Sequence, residues 1–259
     1  MGRVSSKVFD LAGKGAGRIR LPDVFHTVLR PDVIKRAVLA AQSHSFQPQG
    51  RDVMAGKRTT AESWGVGHAM SRVPRLRESR RAAFAPGTVG GRLSHPTVVE
   101  KRIVKRIPRK ERRLALFSAI AATGSRQTVA MRGHAIDDVP DFPLVVTDDM
   151  QGVKNTKDLK EVFVNIGVWP DVYRVEESIK VRAGKGKMRG RRKKVAVGPL
   201  IVVSRSEGVS EAARNLPGVD VAYVKSLNAE LLAPGCHPGR LTVWTRSSIE
   251  ELANWDGGS

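Results

Sequence analysis

Residues 142–148 read FPLVVTD, a short apolar run that follows an aspartate and ends at another. Such a run suits a strand that is buried on both faces of a sheet. PLIVVS at 199–204 is a second run of this kind, and VDVAYVK at 219–225 and LTVWT at 241–245 read as further strands. Helical stretches alternate with these runs, as they do in parallel sheets. The sequence therefore predicts an α/β body with a doubly wound, mainly parallel sheet.

Two helices of this body can be placed from their starts and their apolar spacing. Pro31 suits a first helical turn, and that helix is expected to run to Ser43. Asn155 or Thr156 can cap the other helix. Both helices have an apolar face at helical spacing. The positions expected on these faces are Val33, Ile34, Ala37, Val38 and Ala41 in the first helix, and Leu159, Val162, Phe163 and Ile166 in the second.

Shorter elements are expected nearer the N-terminus and in the middle of the chain. Residues 3–11 and 18–25 read as extended segments, with the glycines of 13–17 forming a turn between them. Residues 97–107 and 108–122 read as two helices that Pro108 separates, because proline interrupts a helix interior.

Two more helix starts are expected in the C-terminal part. Ser206 is a candidate cap for a short helix that ends near Asn215. Ser247 and Glu250 have the spacing of a capping box for a terminal helix. The last five residues, 255–259, are expected to form a loose tail.

The net charge indicates the class of partner. The chain has 45 Lys and Arg residues against 25 Asp and Glu residues, a formal charge of +20, and a pI near 10.9. Such a charge repels itself unless a polyanion neutralises it. Nucleic acid is the first candidate and an anionic membrane surface the second. No apolar run approaches the roughly 20 residues that span a bilayer. The single cysteine, Cys236, excludes an intramolecular disulfide.

Residues 47–95 form a basic segment, which we call the arm. Glycine and proline interrupt it throughout, and its apolar residues keep neither helical nor strand spacing. A loop of this length inside a domain is usually functional or disordered. Trp64, His68 and Phe84 offer rings on which bases can stack. We interpret the arm as a segment that folds against RNA. Its cations are Arg51, Lys57, Arg58, Arg72, Arg75, Arg77, Arg80, Arg81 and Arg92.

Two further groups of cations extend this interpretation. Lys101, Arg102, Lys105 and Arg106 follow the arm, and we interpret them as phosphate contacts rather than as a solvated face. Residues 183–194 contain seven cations and no acid. A nuclear-localisation signal is one interpretation of that run. A second RNA-binding loop, whose glycines let backbone amides approach phosphates, is favoured because the arm precedes it. The seven cations are Lys185, Lys187, Arg189, Arg191, Arg192, Lys193 and Lys194.

These motifs resemble a known family. KVRAGKGKMRGRR at 180–192 is similar to the internal basic motif of universal large-subunit ribosomal protein number four, in its archaeal and eukaryotic branch. KRTTAESWGVGHAMSRVPRL at 57–76 and GGRLSHP at 90–96 resemble the extended loop of that family. PLVVTD at 143–148 and LNAELLAPGCHPGRLTVWT at 227–245 also fit. The resemblance covers nearly the whole chain.

The resemblance implies a fold and a role. It implies a Rossmann-like α/β body at 1–46 and 96–259, a long loop at 47–95 that threads into ribosomal RNA, and a second basic loop at 183–194. The implied partners are large-subunit ribosomal RNA, neighbouring ribosomal proteins and the nascent polypeptide, in the cytoplasmic ribosome. In this family the loop tip helps to line the nascent-peptide exit tunnel. The corresponding residues here are Gly65, Val66, Gly67, His68, Ala69, Met70, Ser71 and Arg72.

The remaining alternative is an RNA-modifying enzyme with a basic targeting arm. The sequence has no phosphate-binding loop and no GxGxxG after a strand. Asp148 and Asp149 follow a predicted strand, where they could hold Mg²⁺ or serve as ordinary turn and cap residues. The six histidines are scattered, and one cysteine gives no zinc spacing. We therefore expect no catalytic residue, no metal and no cofactor.

Overall fold

A computed structural model describes residues 5–205 and 207–254. Short strands and helices alternate along most of the chain, with a long interval between the first and second helices. The strands are β1 (Ser5–Phe9), β2 (Gly15–Arg20), β3 (Leu144–Val146), β4 (Lys180–Val181), β5 (Lys193–Lys194), β6 (Leu200–Val203), β7 (Asp220–Tyr223) and β8 (Thr242–Thr245). The helices are α1 (Pro31–Ser43), α2 (Arg109–Thr123), α3 (Arg126–Arg132), α4 (Thr156–Asn165), α5 (Trp169–Glu177), α6 (Val209–Arg214), α7 (Ala229–Leu232) and α8 (Arg246–Ala253).

Six of the strands form one mixed sheet in the order β2-β1-β3-β8-β6-β7. Only the β1–β2 pair is antiparallel, and the other four pairings are parallel. The central strands β3, β6 and β8 are buried along their whole length, as the unbroken apolar runs of β3 and β6 predict. The α/β class and the mainly parallel sheet are therefore confirmed.

Two apolar cores lie against the sheet, because successive side chains of a strand point to opposite faces. In β6, Leu200 and Val202 belong to one core, and Ile201 and Val203 belong to the other. Helices α1, α2, α7 and α8 contribute to the first core, and α3, α4, α5 and α6 contribute to the second. Trp244 of β8 fills the first core and meets the ring of Phe25 edge-on, with centroids 5.5 Å apart.

The helices predicted from apolar spacing are present. Helix α1 has the predicted bounds, but Ala40 rather than Ala41 is buried on its inner side. Helix α4 follows Asn155 and buries the predicted face, which continues to Ile166 just beyond its last residue. Arg36 of α1 and Glu111 of α2 form an ion pair between these two helices.

The N-terminal hairpin corrects one prediction. The chain turns at Asp10–Lys14, where the Asp10 carboxylate accepts hydrogen bonds from the amides of Ala12 (3.0 Å) and Lys14 (2.7 Å). Gly15 and Gly17 lie in strand β2 rather than in the turn, and β2 ends at Arg20. Residues Asp23–His26 then form a 3-10 turn instead of an extended segment. The Asp10 side chain and Gly13, whose φ is +77°, therefore form the turn, and Gly15 and Gly17 belong to the strand that follows.

The predicted helix over residues 97–107 is wrong. This stretch has no helix, and α2 begins only at Arg109, immediately after Pro108. Thr97, Val98 and Val99 are β-branched and enter helices less readily. Repulsion between like charges four residues apart, as in Lys101 and Lys105, also opposes a helix.

Of the two caps predicted in the C-terminal part, one lies outside the described residues and the other is wrong. Ser206 lies outside the described residues, and the residue before α6 is Gly208. Ser247 lies inside α8, and its amide donates instead to the carboxylate of Asp148 at 2.8 Å. Glu250 pairs with Arg246. The predicted tail at 255–259 lies outside the described residues.

The chain divides into two compact units. One comprises residues 1–42 and 105–259, and we call it the body. The other comprises residues 43–104, and we call it the insert unit. The body contains both cores and the whole mixed sheet. Among the described residues, no helix combines the length and the apolar character needed to cross a membrane.

Candidate nucleic-acid interface

The insert unit has no apolar core of its own. All of residues 44–104 are described, and none of them is buried. Its only β pairing consists of two isolated bridges, Glu62 with Arg75 and Arg75 with Ala82. Hydrophobic burial is the main favourable term in folding, and here it is missing. The shape of this unit therefore depends on hydrogen bonds, glycines and ion pairs.

The two legs of the arm run side by side. The amide of Arg51 donates to the carbonyl of Thr97 at 3.2 Å. A side chain at Gly56 would lie 2.5 Å from the backbone of Gly91, so only glycine allows this approach. Nearby, the guanidinium of Arg92 lies 5.7 Å from the centre of the Phe84 ring. Arg92 is half-buried, and it stabilises the arm by this stacking.

The tip is a closed loop with an exposed crest. Glu62 and Arg75 exchange two backbone hydrogen bonds of 3.2 and 3.0 Å, and the Ser63 hydroxyl donates to the carbonyl of Arg72 at 2.9 Å. The backbone is left-handed at Gly65, Gly67 and Ala69. The rings of Trp64 and His68 meet edge-on with centroids 5.9 Å apart. All eight predicted tip residues, Gly65, Val66, Gly67, His68, Ala69, Met70, Ser71 and Arg72, are exposed.

Arg75 builds the base of the tip. Its guanidinium donates to the carbonyl of Arg80 and to the hydroxyl of Ser71, both at 3.0 Å. The amide of Leu76 donates to the carbonyl of Arg81 at 3.0 Å and closes the next turn. The structure therefore gives Arg75 an internal role that sequence reasoning did not separate from phosphate contact.

Carboxylates hold two of the predicted cations. Arg58 pairs with Asp52, and its hydrogen bond holds the pKa of the Asp52 carboxyl below its usual value. Arg77 lies 3.6 Å from Glu62. Within the described parts of the chain, no carboxylate pairs with the other exposed cations of the arm. These are Arg51, Lys57, Arg72, Arg80 and Arg81.

The stretch that follows the arm is irregular and basic. Lys101, Arg102, Lys105 and Arg106 are all exposed, in a segment without helix or strand. The absence of the predicted helix therefore does not change which cations are exposed, but it changes how they are arranged.

The second basic run is a hairpin rather than a plain loop. Strands β4 and β5 pair antiparallel, and Arg182 fixes them further. Its amide donates to the carbonyl of Arg192 at 2.8 Å, and its Nε donates to the carbonyl of Arg191 at 3.1 Å. A 3-10 turn at Lys185–Arg189 forms the end, with left-handed glycines at 184 and 190 on either side. We call residues 180–194 the basic hairpin.

Every predicted cation of the basic hairpin is exposed. None of the seven has a carboxylate partner within the part of the chain that the structure describes. The backbone and Arg182 hold the hairpin, so these side chains are not needed for its shape. They are Lys185, Lys187, Arg189, Arg191, Arg192, Lys193 and Lys194.

Polar side chains at the carboxyl ends of the parallel strands form a hydrogen-bonded network. The Asp148 carboxylate accepts from the side-chain amide of Gln151 (3.1 Å) and from the amide of Ser247 (2.8 Å). Asp149 accepts from the hydroxyl of Thr147 at 3.1 Å. These two acids act as turn and cap residues. In residues 5–205 and 207–254, no three His, Cys, Asp or Glu side chains are grouped as a metal would require.

Sequence reasoning missed a buried polar cluster in the body. Asp171 is fully buried, and its carboxylate accepts from His134, from Arg174 at 2.9 Å and from the amide of Ala135 at 3.0 Å. Arg240 is also buried and donates to the carboxylate of Asp220 at 2.5 Å. No local pattern marks these residues, because the partners lie 37 and 20 positions apart in the chain.

Comparisons with known proteins agree with the basic motifs. Residues 19–255 match the model of the ribosomal protein L4/L1 family. The chain is 50% identical over 252 residues to large ribosomal subunit protein uL4 of Archaeoglobus fulgidus, covering 97% of this chain and 99% of that protein. It is 47% identical over 247 residues to the protein of the same name from Methanosphaera stadtmanae, covering 95% of each. It is 48% identical over 249 residues to the protein of the same name from Saccharolobus islandicus, covering 96% of this chain and 93% of that protein. The chain therefore belongs to the ribosomal protein L4/L1 family.

Proposed function

We propose that this protein is a structural constituent of the large ribosomal subunit in the cytoplasm. It binds large-subunit ribosomal RNA through the arm and the basic hairpin and contacts neighbouring ribosomal proteins. Relatives that are named as proteins of this subunit cover almost the whole chain at about half identity. Family membership makes it a structural protein rather than an enzyme, so the RNA-modifying alternative is set aside.

One observation carries the RNA-binding part of this proposal. The arm and the basic hairpin expose twelve predicted cations without carboxylate partners among the described residues, and the insert unit, which contains the arm, has no core. A coreless, strongly cationic segment gains its missing stability when phosphates neutralise it. Trp64, His68 and the exposed glycines at the tip add surfaces for stacking and close backbone approach.

The same features support a separate role for each part of the chain. Residues 1–46 and 96–259 form a Rossmann-like, doubly wound body, residues 47–95 form the long basic loop, and residues 183–194 form a second RNA-binding loop. The mainly parallel sheet with apolar cores on its two faces supports the first assignment. The exposed, closed tip at 65–72 supports a place beside the nascent polypeptide in the exit tunnel.

A salt titration of RNA binding tests the arm. Arg72, Arg80 and Arg81 are the cations to replace with glutamine, because their side chains are exposed and Arg75 and Arg77 have internal partners. Each lost phosphate contact should lower the slope of log affinity against log salt by about 0.7 to 0.9. The triple variant should therefore lose about 2 to 3 in slope on a large-subunit RNA fragment.

The matched control removes the same number of positive charges from the body instead of from the arm. Lys14, Lys154 and Lys157 are exposed lysines outside the arm and the basic hairpin. Their triple glutamine variant should keep the slope of the native protein within about 1. Equal losses in both variants would mean that the net charge alone drives binding, and the assigned surface would be wrong.

Cross-linking tests the tip assignment. A photoreactive residue at Met70, in ribosomes that carry the modified chain, should cross-link to a stalled nascent polypeptide. The same residue at Val89 serves as the control, because Val89 is exposed in the insert unit but lies outside the tip. Cross-links to RNA alone from Met70 would remove the tip from the tunnel.

A further inference from the structure

A cleft in the body lies beside the base of the basic hairpin. It has a volume of about 610 Å³, within the usual range for small-ligand sites. Its walls combine apolar side chains, including Leu29, Pro31 and Met131, with the polar side chains of Arg132, His134 and Arg174. Ala196 and Val197, which follow β5, form one side. The cleft therefore offers apolar surface and cations in the same space.

The cleft carries uncompensated positive charge. Arg174 is paired with Asp171 at 2.9 Å, and the nearby Arg240 is paired with Asp220 at 2.5 Å. Arg132 donates to the carbonyls of His237 and Pro234, and no described carboxylate forms an ion pair with it. Burial, followed by repulsion from Arg240 and Arg174, lowers the pKa of Arg132 to about 10. An anion in the cleft would relieve this repulsion, and Arg174 has further N–H groups to share with it.

One residue of the cleft wall, His134, also has a buried nitrogen that lacks a partner. The ring of His134 holds Asp171 through Nδ1, with 2.9 Å between Nδ1 and Oδ2. Its Nε2 is buried and has no hydrogen-bond partner within the described parts of the chain. Burial lowers the pKa of His134, so the ring is neutral and Nε2 is an acceptor when Nδ1 carries the proton. Such an orphaned acceptor is costly, and a hydroxyl donor would satisfy it.

From this combination we propose that the cleft binds a ribonucleotide. The phosphate lies against Arg132 and Arg174, the base packs on the wall formed by Leu29, Pro31 and Met131, and the ribose 2′-hydroxyl donates to His134 Nε2. Nε2 is covered in this structure, and changes of side-chain rotamer on binding are common at such sites. The ribonucleotide is either a unit of an RNA chain that continues onto the basic hairpin or a free nucleotide. The first source rests on the proposed function.

Nitrogen-15 resonances of the His134 ring in the full-length protein provide the readout. The probes are uridine 5′-monophosphate, its 2′-deoxy analogue, inorganic phosphate and a single-stranded RNA tetranucleotide. We expect the ribonucleotide to shift the Nε2 resonance, and the deoxy analogue to bind on the order of fivefold more weakly, as the loss of one hydrogen bond implies. Equal binding of the deoxy analogue, or of phosphate alone, would overturn the proposal.

Two substitutions at the rim separate binding from folding. Leu29 is partly exposed, so Leu29→Glu should leave the fold intact while its carboxylate repels the phosphate. We expect this variant to weaken ribonucleotide binding at least tenfold. Leu29→Gln, which has the same size without the charge, should lose less than threefold. If Leu29→Glu bound as tightly as the native protein, the phosphate would not lie in this cleft.

These experiments distinguish an RNA chain from a free nucleotide as the ligand. They also separate the ribonucleotide proposal from the proposed RNA binding by the arm. Tighter binding of the tetranucleotide than of the mononucleotide identifies an RNA chain, and the reverse order identifies a free nucleotide. The Arg72, Arg80 and Arg81 triple variant should keep mononucleotide binding while its salt slope on long RNA falls. Leu29→Glu should keep the salt slope while it loses the mononucleotide. Failure of one proposal therefore does not imply failure of the other.

Discussion

His134 Nδ1 lies 2.9 Å from Asp171 Oδ2, and the two side chains are 2% and 0% exposed. The pair joins the segment that follows α3 to the first turn of α5. Two further donors, from Arg174 and the amide of Ala135, complete the environment of the carboxylate. The pKa of Asp171 is lowered, because these hydrogen bonds outweigh the desolvation that opposes them. His134 is the only buried histidine of the six, since the other five are exposed.

Acidification should destabilise the body through His134. Burial lowers the pKa of His134 in the folded state below its unfolded value of about 6.5. The unfolded chain therefore takes up the proton first, so the stability is complete above about pH 6.5 and falls as the pH decreases toward the folded pKa. The loss cannot exceed about 1.4 kcal/mol per pH unit for one proton. Urea denaturation followed by circular dichroism between pH 8 and 5 measures it.

Two variants identify the group responsible. His134→Gln should be less stable at pH 8 but should show a flatter dependence between pH 7 and 5. His26→Gln, at an exposed histidine, should keep the native dependence. If His134→Gln followed the native curve, another group would be titrating in this range.

Loss of Arg240 should weaken the edge where β6, β7 and β8 begin. Arg240 donates to the carbonyls of Gly198 (2.8 Å) and Leu231 (3.0 Å) as well as to Asp220. Arg240→Met leaves those buried carbonyls without donors and should cost about 2 to 4 kcal/mol. Asp220→Asn should cost at most about 1 kcal/mol, because the Asp220 side chain is 55% exposed. Similar losses in both variants would assign the stability to the ion pair instead.

Gly167 should not tolerate a side chain. Its φ is +73°, and a Cβ there would lie 2.2 Å from the carbonyl oxygen of Asp138. Gly133, with φ of +90°, has no atom within 4 Å of such a Cβ. Gly133→Ala should therefore cost only the left-handed backbone, about 1 kcal/mol, whereas Gly167→Ala should cost at least about 2 kcal/mol more. Thermal denaturation of both variants checks the difference, and equal melting temperatures would contradict it.

Trypsin should cleave the free protein first within the insert unit. Residues 44–104 contain no buried side chain, so opening them costs little compared with opening the body. Mass spectrometry of early fragments should map the cuts between residues 50 and 95, and addition of large-subunit RNA should delay them. Early cuts in the body at similar rates would show that the insert unit is as stable as the body.

Local patterns in the sequence correctly predicted those strands and helices whose buried residues recur at regular spacing. The runs around Val145 and Ile201 are apolar at every position, the run around Val243 adds only threonines, and each is a buried strand. In helix α1, Pro31 indicates the start and the apolar spacing indicates the buried face. In such cases a single element contains the information that determines it.

Two of the misses arose where a distant side chain determines the local structure. The amide of Ser247 donates to Asp148, 99 positions away, so α8 does not use its own capping box. The polar cluster around Asp171 likewise joins residues whose neighbours in sequence carry no signal. In the arm, the cations were identifiable from the sequence but their separate roles were not, since the internal hydrogen bonds of Arg75 depend on the turn at Arg80.

The insert unit leaves the body between α1 and α2, two helices that pack into the same core. All six strands of the mixed sheet lie outside it, so no strand pairing depends on its length. Doubling the length of a flexible connection adds only about 0.6 kcal/mol to the cost of closing it. Evolution can therefore extend, trim or rewrite this segment while the body stays the same. The two units are free to diverge at different rates, each following its own surroundings.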